Sequence, residues 1–191
     1  GGGGGGLPLT DAELCLLLAI QAEGCVNKKN GAVDFVLVKH RKVRRIKLLL
    51  DSVGVAHTIS RKGKDKRAFR FYCPVGQPKL ERLLQLLGPG KLFGMWLLSL
   101  SRAQVDTVLG EVMFWDGCWT RGNHYASEYK TNADWIQALY ALSGQRANVR
   151  RYVNSGDSVS WQVDRTAADH SLTTNVCRGT APAQMTYCVS V

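Results

Sequence analysis

Two carboxylates in this sequence each stand directly before a glycine at the end of an apolar, helix-forming run. The pairs are Glu23-Gly24 and Asp116-Gly117. A glycine just past the last helical residue is a common helix stop, because it adopts the left-handed conformation without a Cβ penalty. The acid then lies at the negative end of the helix dipole, where a bound cation would relieve an unfavourable charge. Two such helix ends side by side would form a divalent-metal site.

The same signals mark the start of both helices. Thr10 with Glu13, and Ser101 with Gln104, form capping boxes, in which each side chain bonds the other residue's backbone N–H group. The two boxes, like the two acid-glycine pairs, are about ninety residues apart, which indicates an internal duplication. The paired helices of the two copies must therefore position the acids.

Hydrophobic periodicity and turn signals predict an α+β fold for each copy. The first copy is expected to run helix, two strands, helix, two strands, helix, and the second copy repeats this order. The predicted helices are 10–24, 41–52, 80–87, 101–117 and 133–142. The predicted strands are 25–27, 32–40, 55–60, 67–73, 118–121, 124–130, 147–153 and 158–163.

The formal net charge of +10 is concentrated in one block. Residues 39–67 contain eleven Lys and Arg against two Asp, a net +9. Such a block suits a polyanion, of which nucleic acid is the commonest, although a solvated face is the alternative. The residues of the first copy expected to contact nucleic acid are Lys28, Lys29, Asn30, Lys39, Arg61, Lys62, Lys64, Lys66, Arg67 and Arg70.

The strands and turns of the second copy carry mixed polar side chains rather than a charge run. Such donors and acceptors suit base edges and phosphates, although a wet sheet face would also be polar. The residues are Arg121, Asn123, His124, Tyr125, Ser127, Tyr129, Lys130, Arg146, Asn148, Arg150, Arg151, Tyr152, Asn154 and Gln162.

Six cysteines are scattered without a C-x-x-C pair, and four ligands at zinc-finger spacing are absent from the sequence. We expect buried thiols of an intracellular protein, since Cys15, Cys25 and Cys188 lie in apolar runs. The longest apolar run, around 92–100, is too short to span a bilayer, and no signal peptide precedes it. A soluble, cytosolic protein with access to DNA and no membrane partner is therefore expected.

Helix ends carrying an acid and a glycine, each followed by two hairpins divided by a helix, resemble the LAGLIDADG homing endonucleases in their single-chain, double-motif form. The likeness covers about residues 7–165, with a first repeat at 7–90 and a second at 91–165. It implies that the motif helices pack together at a pseudo-twofold axis. It also implies two four-stranded antiparallel sheets that form a DNA-binding saddle, and a monomer that acts on double-stranded DNA.

The resemblance also assigns roles to single residues. Glu23 and Asp116 are implied to bind the metal, together with the backbone at Gly24 and Gly117, and Lys91 matches a basic residue near the active site. The implied mechanism is metal-assisted phosphodiester hydrolysis, in which Mg²⁺ activates water and stabilises the leaving oxygen. Lys91 would polarise a water or offset developing charge. Mn²⁺ or Ca²⁺ is expected to substitute for Mg²⁺ in binding.

Three positions depart from the family pattern. Leu18 and Glu111 stand where the family often has a small residue that lets the helices approach each other. Ala19 and Gly110, each one place away, are expected to serve instead. Trp115 stands where a small residue usually precedes the second acid, which is expected to narrow or tilt the site.

The duplication predicts a basic residue beyond Val163 that would match Lys91. No lysine follows Lys130, and the basic residues beyond Val163 are arginine or histidine. Arginine does not readily give up a proton at neutral pH. One active site is therefore predicted to lack its lysine, so that the two DNA strands are cut at unequal rates.

The two ends of the chain carry separate signals. Gly1–Gly6 is a linker-like glycine run. Residues 166–191 lead to Met185–Val191, which resembles the strand with which an intein splicing domain resumes after its inserted endonuclease. An edge strand of the second half is the alternative. An N-terminal Cys or Ser and a C-terminal His-Asn pair, which carry splicing in that family, are absent, so the chain by itself is not expected to splice.

Three functions are open on the sequence alone. The leading one is a site-specific double-strand DNA endonuclease. The second is a nucleic-acid-binding protein with the same saddle but no cleavage, such as an RNA maturase or a DNA-binding regulator. The third is a structural domain whose basic face is incidental. Intact acids in both motifs favour the first.

Overall fold

The computed structural model describes residues 5–63, 67–118, 123–153 and 157–166, which confirm the predicted α+β class. The helices are α1 (Asp11–Glu23), α2 (His40–Val53), α3 (Pro78–Leu86), α4 (Arg102–Asp116) and α5 (Lys130–Leu142), with short 3₁₀ helices at Pro89–Lys91 and Met95–Ser99. The strands are β1 (Gly24–Val26), β2 (Val33–Leu37), β3 (Thr58–Lys62), β4 (Ala68–Cys73), β5 (Gly117–Cys118), β6 (His124–Ser127), β7 (Arg146–Val153) and β8 (Val159–Thr166).

Both predicted capping boxes are present and start the two motif helices. At α1 the Thr10 N–H donates to Glu13 Oε2 over 2.8 Å, and the Glu13 N–H donates to Thr10 Oγ1 over 3.2 Å. At α4 the reciprocal distances between Ser101 and Gln104 are 3.1 and 3.3 Å. Each box satisfies two backbone donors that the first helical turn leaves unpaired.

Helix α1 lies in the middle of the hydrophobic core. All of Leu14–Gln21 is buried, so this helix is covered on every side, as expected of one that is apolar all round. Helix α4 packs against it and contributes Val105, Val108 and Val112 to the same core. Within the described ranges, no helix has the length and apolar character needed to cross a bilayer.

Each half contributes one four-stranded antiparallel sheet, as predicted. The strand orders are β1-β2-β4-β3 and β5-β6-β8-β7, so the second sheet repeats the first. Phe35 pairs with Phe71 and Tyr125 pairs with Val163, and all four are at most 1% exposed. Because side chains alternate along a strand, the neighbouring positions point away from the helices. Each sheet therefore has a helix-side face and an open face.

Several boundaries differ from the prediction by three residues, among them that of β6, which was predicted to reach Lys130 but ends at Ser127. The Ser127 hydroxyl accepts a hydrogen bond from the Tyr129 N–H at 3.1 Å, which turns the chain out of the sheet. Lys130 then begins α5, where its Nζ lies 2.7 Å from Asp134 Oδ1, one helical turn further on.

The cysteines are only partly buried. Cys15 and Cys73 are buried, and loss of solvation raises the pKa of each thiol to about 12. Cys25 is exposed, so the prediction of a buried thiol there was wrong. The reason is that it lies in the edge strand β1, on the open face. Cys177 and Cys188 lie outside the described residues.

Candidate active site

The two acids end adjacent helices, and the glycines that follow them are required by close packing. Gly24 and Gly117 have extended backbones, with φ of −72° and −77°, so the predicted left-handed stop was wrong. A Cβ at Gly24 would lie 2.7 Å from the Ile20 carbonyl oxygen, and one at Gly117 would lie 2.2 Å from that of Met113. The chain can therefore enter β1 and β5 directly from the helices only because these residues lack a side chain.

Lys91 reaches the end of α1 from the segment between the two halves. Its Nζ donates to the Gly24 carbonyl oxygen at 2.7 Å. Burial lowers the pKa of Lys91, while Cys25, Asp116 and Glu23 raise it through their charges. Its backbone φ is +62°, a conformation that costs a non-glycine residue free energy and that concentrates at functional sites. The structure thus brings Lys91 to the two acids.

A second lysine in the site was not anticipated from the sequence. The Lys42 ammonium forms an ion pair with the Glu23 carboxylate, and the Lys42 side chain is only 10% exposed. Its Nζ also lies 5.7 Å from the centre of the Trp115 ring. The available signal was helical spacing, because Lys42 shares the inward face of α2 with the buried Ile46 and Leu49.

Asp116 has a different environment from Glu23. Among the described residues, its carboxylate takes part in no hydrogen bond and no ion pair. Its pKa is raised to about 6, chiefly by burial; the Lys42 and Lys91 charges lower the pKa and the Glu23 charge raises it. The carboxylate borders an open cavity of about 410 Å³ whose lining also includes Lys91 and Glu128.

The donor set suits a hard divalent cation on the Asp116 side. Carboxylate and carbonyl oxygens are the ligands that Mg²⁺ and Ca²⁺ prefer, and the half-buried Asp116 carboxylate has no hydrogen-bond or ion-pair partner within the described ranges. On the other side, Glu23 and the Gly24 carbonyl already bond to lysine ammonium groups. Among the described residues, no group of three or more His, Cys, Asp or Glu could hold a metal ion.

The large residues that depart from the family pattern are accommodated by burial and pairing, and not by a small residue at Gly110 as expected. Glu111 is buried and paired with Arg45, and Trp115 is buried with its Nε1 donating to Glu111 at 2.9 Å. Gly110 is exposed, and a Cβ there would meet no atom within 4 Å, so it does not allow a close helix approach. Ala19 is fully buried in α1.

The open faces of the two sheets carry part of the predicted nucleic-acid set. Arg70 forms a two-point ion pair with Asp34, at 2.6 and 2.9 Å, and Arg150 pairs with Asp164 at 3.0 Å. The strand register places these predicted residues on the open faces: Lys62, Arg70, Arg146, Asn148, Arg150, Tyr152 and Gln162. Exposed residues beside the sheets are Lys28, Lys29, Asn30, Lys39, Arg67, Asn123, Tyr129 and Lys130.

Other predicted contacts point elsewhere. Tyr125 is 1% exposed on the helix-side face, and His124 is 6% exposed, so neither is available to nucleic acid. These two assignments are corrected: Tyr125 pairs with Val163 in the core of the helix-side face, and His124 is buried although its register opposite Asp164 places it on the other face. By register, three predicted residues belong to the helix-side faces: Arg61, which lies over the Phe69 ring, and Ser127 and Arg151, which flank Trp161. Four others, Lys64, Lys66, Arg121 and Asn154, lie outside the described residues.

Comparisons with solved structures identify the class of fold. The chain has the LAGLIDADG fold, with paired motif helices and two four-stranded antiparallel sheets. One similar structure is I-DmoI in complex with DNA and Mn, with a TM-score of 0.57 and 10% identity over 82% of this chain and 89% of that one. Another is the N-terminal LAGLIDADG domain of DUF199/WhiA, with a TM-score of 0.53 and 12% identity over 84% of this chain and 79% of that one.

Sequence comparison gives one curated relative and no family model that matches. The relative is the ribonucleoside-diphosphate reductase subunit beta of Aquifex aeolicus (strain VF5), which is 27% identical over 156 residues. The match covers 73% of this chain. The chain spans about a fifth of that protein's length, since the match covers 21% of it.

Proposed function

We propose that this chain is a metal-dependent, site-specific double-strand DNA endonuclease. The observation that carries the proposal is the pair of acids, Glu23 and Asp116, at the ends of two helices that pack against each other. Lys91 donates to the Gly24 carbonyl next to Glu23 and lines the same cavity as Asp116. The sheets that begin at these helix ends present open faces with arginine, lysine and amide side chains, as a DNA duplex requires.

In this mechanism the protein holds the duplex and presents the scissile phosphates to the acids. Arginine and lysine side chains on the open faces neutralise phosphates and fix the register of the DNA. Asp116 and Glu23, with the Gly24 and Gly117 carbonyls, would hold divalent ions, which when bound activate water and stabilise the leaving oxygen. Lys91, whose pKa is lowered by burial, offsets negative charge that develops on the phosphate.

The structural neighbours support the cofactor and partner in this proposal. Besides the complex with Mn, similar I-DmoI structures contain target DNA with Mg, or DNA with Ca. We propose Mg²⁺ as the working ion, and a monomer in which repeats 7–90 and 91–165 each serve one half of the target. Oxygen ligands of the kind present here bind all three ions.

A second candidate is a nucleic-acid-binding protein that does not cleave. The ion pair between Lys42 and Glu23 favours it, because it occupies one of the two acids. The similarity to the WhiA LAGLIDADG domain is compatible with this alternative at the level of fold. The two candidates share the open faces and differ only in what happens at the helix ends.

We also propose that the chain derives from an element inserted into a host protein, such as an intein. The reductase subunit supports this, because only about a fifth of its length matches a chain with the LAGLIDADG fold. The strand-like sequence Met185–Val191, outside the described residues, would then belong to the splicing domain.

A cleavage selection tests the proposal. The chain is incubated with a randomised library of duplex targets in Mg²⁺, and the cut molecules are sequenced. We expect one enriched target of many base pairs, cut by the wild type but not by Asp116→Asn. Asp106→Asn is the matched control, since Asp106 is exposed on α4 and its partner is the exposed Arg102, one helical turn away. Target enrichment by binding without any cut molecules would support the non-cleaving alternative instead.

A further inference from the structure

Both candidate metal ligands of the first motif already have a cationic partner. The Glu23 carboxylate bonds to the Lys42 ammonium, and the Gly24 carbonyl accepts from Lys91 Nζ at 2.7 Å. Asp116, the corresponding acid of the second motif, bonds to no partner among the described residues. The candidate metal centre, which consists of Glu23, Asp116 and the groups around them, therefore has different net charges at its two acids.

This difference in charge arises from a sequence difference between α2 and α5, the corresponding helices of the two halves. Lys42 is the third residue of α2, and the third residue of α5, the corresponding helix, is Asn132. Asn132 is 1% exposed and its Oδ1 accepts from the Phe93 N–H at 3.0 Å. The second half thus uses this position to hold the backbone next to Lys91, whereas the first half uses it to bring an ammonium to an acid.

The position of Lys42 is constrained rather than incidental. Its side chain is 10% exposed, and its Nζ lies 5.7 Å from the Trp115 ring centre. An exposed lysine would leave its partner readily, but a buried ammonium must keep a compensating charge. The two carboxylates of the centre are then balanced in charge by two lysine ammonium groups before any metal binds. Because the net charge is already close to zero, a divalent cation is attracted less strongly.

We infer that Lys42 acts as a built-in cation that competes with divalent metal at Glu23, so that the centre takes its divalent ion on the Asp116 side. The inference rests on the proposed function for the identity of the centre. It assigns Lys42 as a charge-balancing residue and makes metal loading unequal between the two halves. Divalent metal can enter the Glu23 side only if the Lys42 ammonium leaves.

The test is a titration of the full chain with Mn²⁺ in the absence of DNA, followed by the electron paramagnetic resonance signal of free Mn²⁺. Removing a unit charge in contact with a carboxylate is expected to tighten metal binding by about tenfold or more. Lys42→Met should therefore bind Mn²⁺ at least about tenfold more tightly than the wild type at the same pH and salt. Lys42→Arg, which keeps the charge, should resemble the wild type.

Two further variants assign the gain to the correct acid. Glu23→Gln combined with Lys42→Met should return to the wild-type affinity, and Asp116→Asn should abolish the binding seen in the wild type. Lys47→Met is the matched control, because Lys47 lies on the same helix and pairs with the exposed Asp51 at 2.6 Å. Thermal unfolding of each variant verifies that it is folded.

The inference is overturned if Lys42→Met and the wild type have equal Mn²⁺ affinity, including no binding by either, or if the gain persists after Glu23→Gln. Cleavage of a selected DNA target is measured separately. A chain that cleaves DNA without the predicted Mn²⁺ difference would refute the role of Lys42 and keep the endonuclease. A chain that shows the Mn²⁺ difference but does not cleave DNA would support the role of Lys42 and refute the endonuclease.

Discussion

The Arg45 side chain of the first half binds the Glu111 carboxylate of the second half, with 3.0 Å between Arg45 Nε and Glu111 Oε1. Glu111 is 7% exposed and also accepts from Trp115 Nε1 at 2.9 Å. Arg45 lies on α2 and Glu111 on the motif helix α4. A partly buried ion pair thus connects the two halves at the position where the family pattern expects a small residue.

We predict that Arg45→Met destabilises the fold by roughly 3–5 kcal/mol, because it leaves the buried Glu111 charge without a partner. Adding Glu111→Gln should recover part of this loss, since the unpaired charge is then removed. Urea unfolding of the single and double variants measures the coupling. The exposed pair of Lys47 and Asp51, treated in the same way, should show a coupling of about 0–1 kcal/mol. Equal couplings for both pairs would contradict a buried link between the halves.

Asp116 should make folding stability depend on pH. Its folded pKa of about 6 lies above the ordinary value of 3.8 for an aspartate side chain, so the folded state holds the proton more tightly than the unfolded state. This contribution is fully present below about pH 4, declines as pH rises, and is lost above about pH 6. We predict that Asp116→Asn gains up to about 3 kcal/mol relative to the wild type across this window. Urea unfolding at several pH values measures the difference, and a difference independent of pH would contradict the raised pKa.

Adjacent arginines on β7 offer a matched test of the open face. Arg150 pairs with Gln162 across the sheet and points to the open face, whereas Arg151 pairs with Trp161 and belongs to the helix-side face. We predict that Arg150→Ala weakens binding to the selected duplex by roughly 1–3 kcal/mol, and Arg151→Ala much less. Fluorescence anisotropy at several salt concentrations provides both numbers. The log-log salt slope should be about −0.9 per phosphate neutralised. Equal losses would place the DNA elsewhere.

The two strands should be cut at unequal rates. Lys91 donates to the Gly24 carbonyl of the first motif, and the basic residues that follow Val163 are arginine and histidine. We therefore expect a supercoiled plasmid that carries the target to pass through a nicked form, and Lys91→Met to slow one strand far more than the other. Gel analysis over time with strand-specific labels reports both. Direct conversion to linear product, with both strands slowed equally, would refute this prediction.

The chain should act alone on its target. Helices α1 and α4 already pack against each other within one chain, so a homodimer would have no free motif helix to pair. We predict one protein chain per duplex by multi-angle light scattering. A complex with two chains per duplex would refute the single-chain arrangement.

The sequence predicted what depends on local chemistry. Capping boxes, the duplication and the alternation of strands and helices follow from neighbouring residues, and both sheets have the expected strands. Lys42 was missed, although its spacing from Ile46 indicated the inward face of α2. A lysine is expected to face solvent unless an acid is known to lie opposite it, and Glu23 lies 19 residues away in the sequence. Contacts such as that of Arg45 with Glu111 join residues 66 positions apart and leave no local signal.

Tyr125 shows the opposite error. Its hydroxyl suggested a hydrogen-bonding role, but its place opposite Val163 makes the ring part of the core. Register decides this, because a one-residue shift along a strand exchanges the two faces. Strand limits predicted to within a few residues do not fix that register, so the sequence could not sort core from open face.

The burial of α1 on every side bears on protein engineering. Because Leu14–Gln21 contacts both halves of one continuous core, neither repeat is a separable module with its own interior. A chimera that joins one half of this chain to half of a relative would have to transplant the facing surface of α4 together with the new sheet. An exchange of halves would therefore change both the proposed DNA specificity and the stability of the core. Substitutions on the open face of one sheet at a time would change the specificity with less effect on the core.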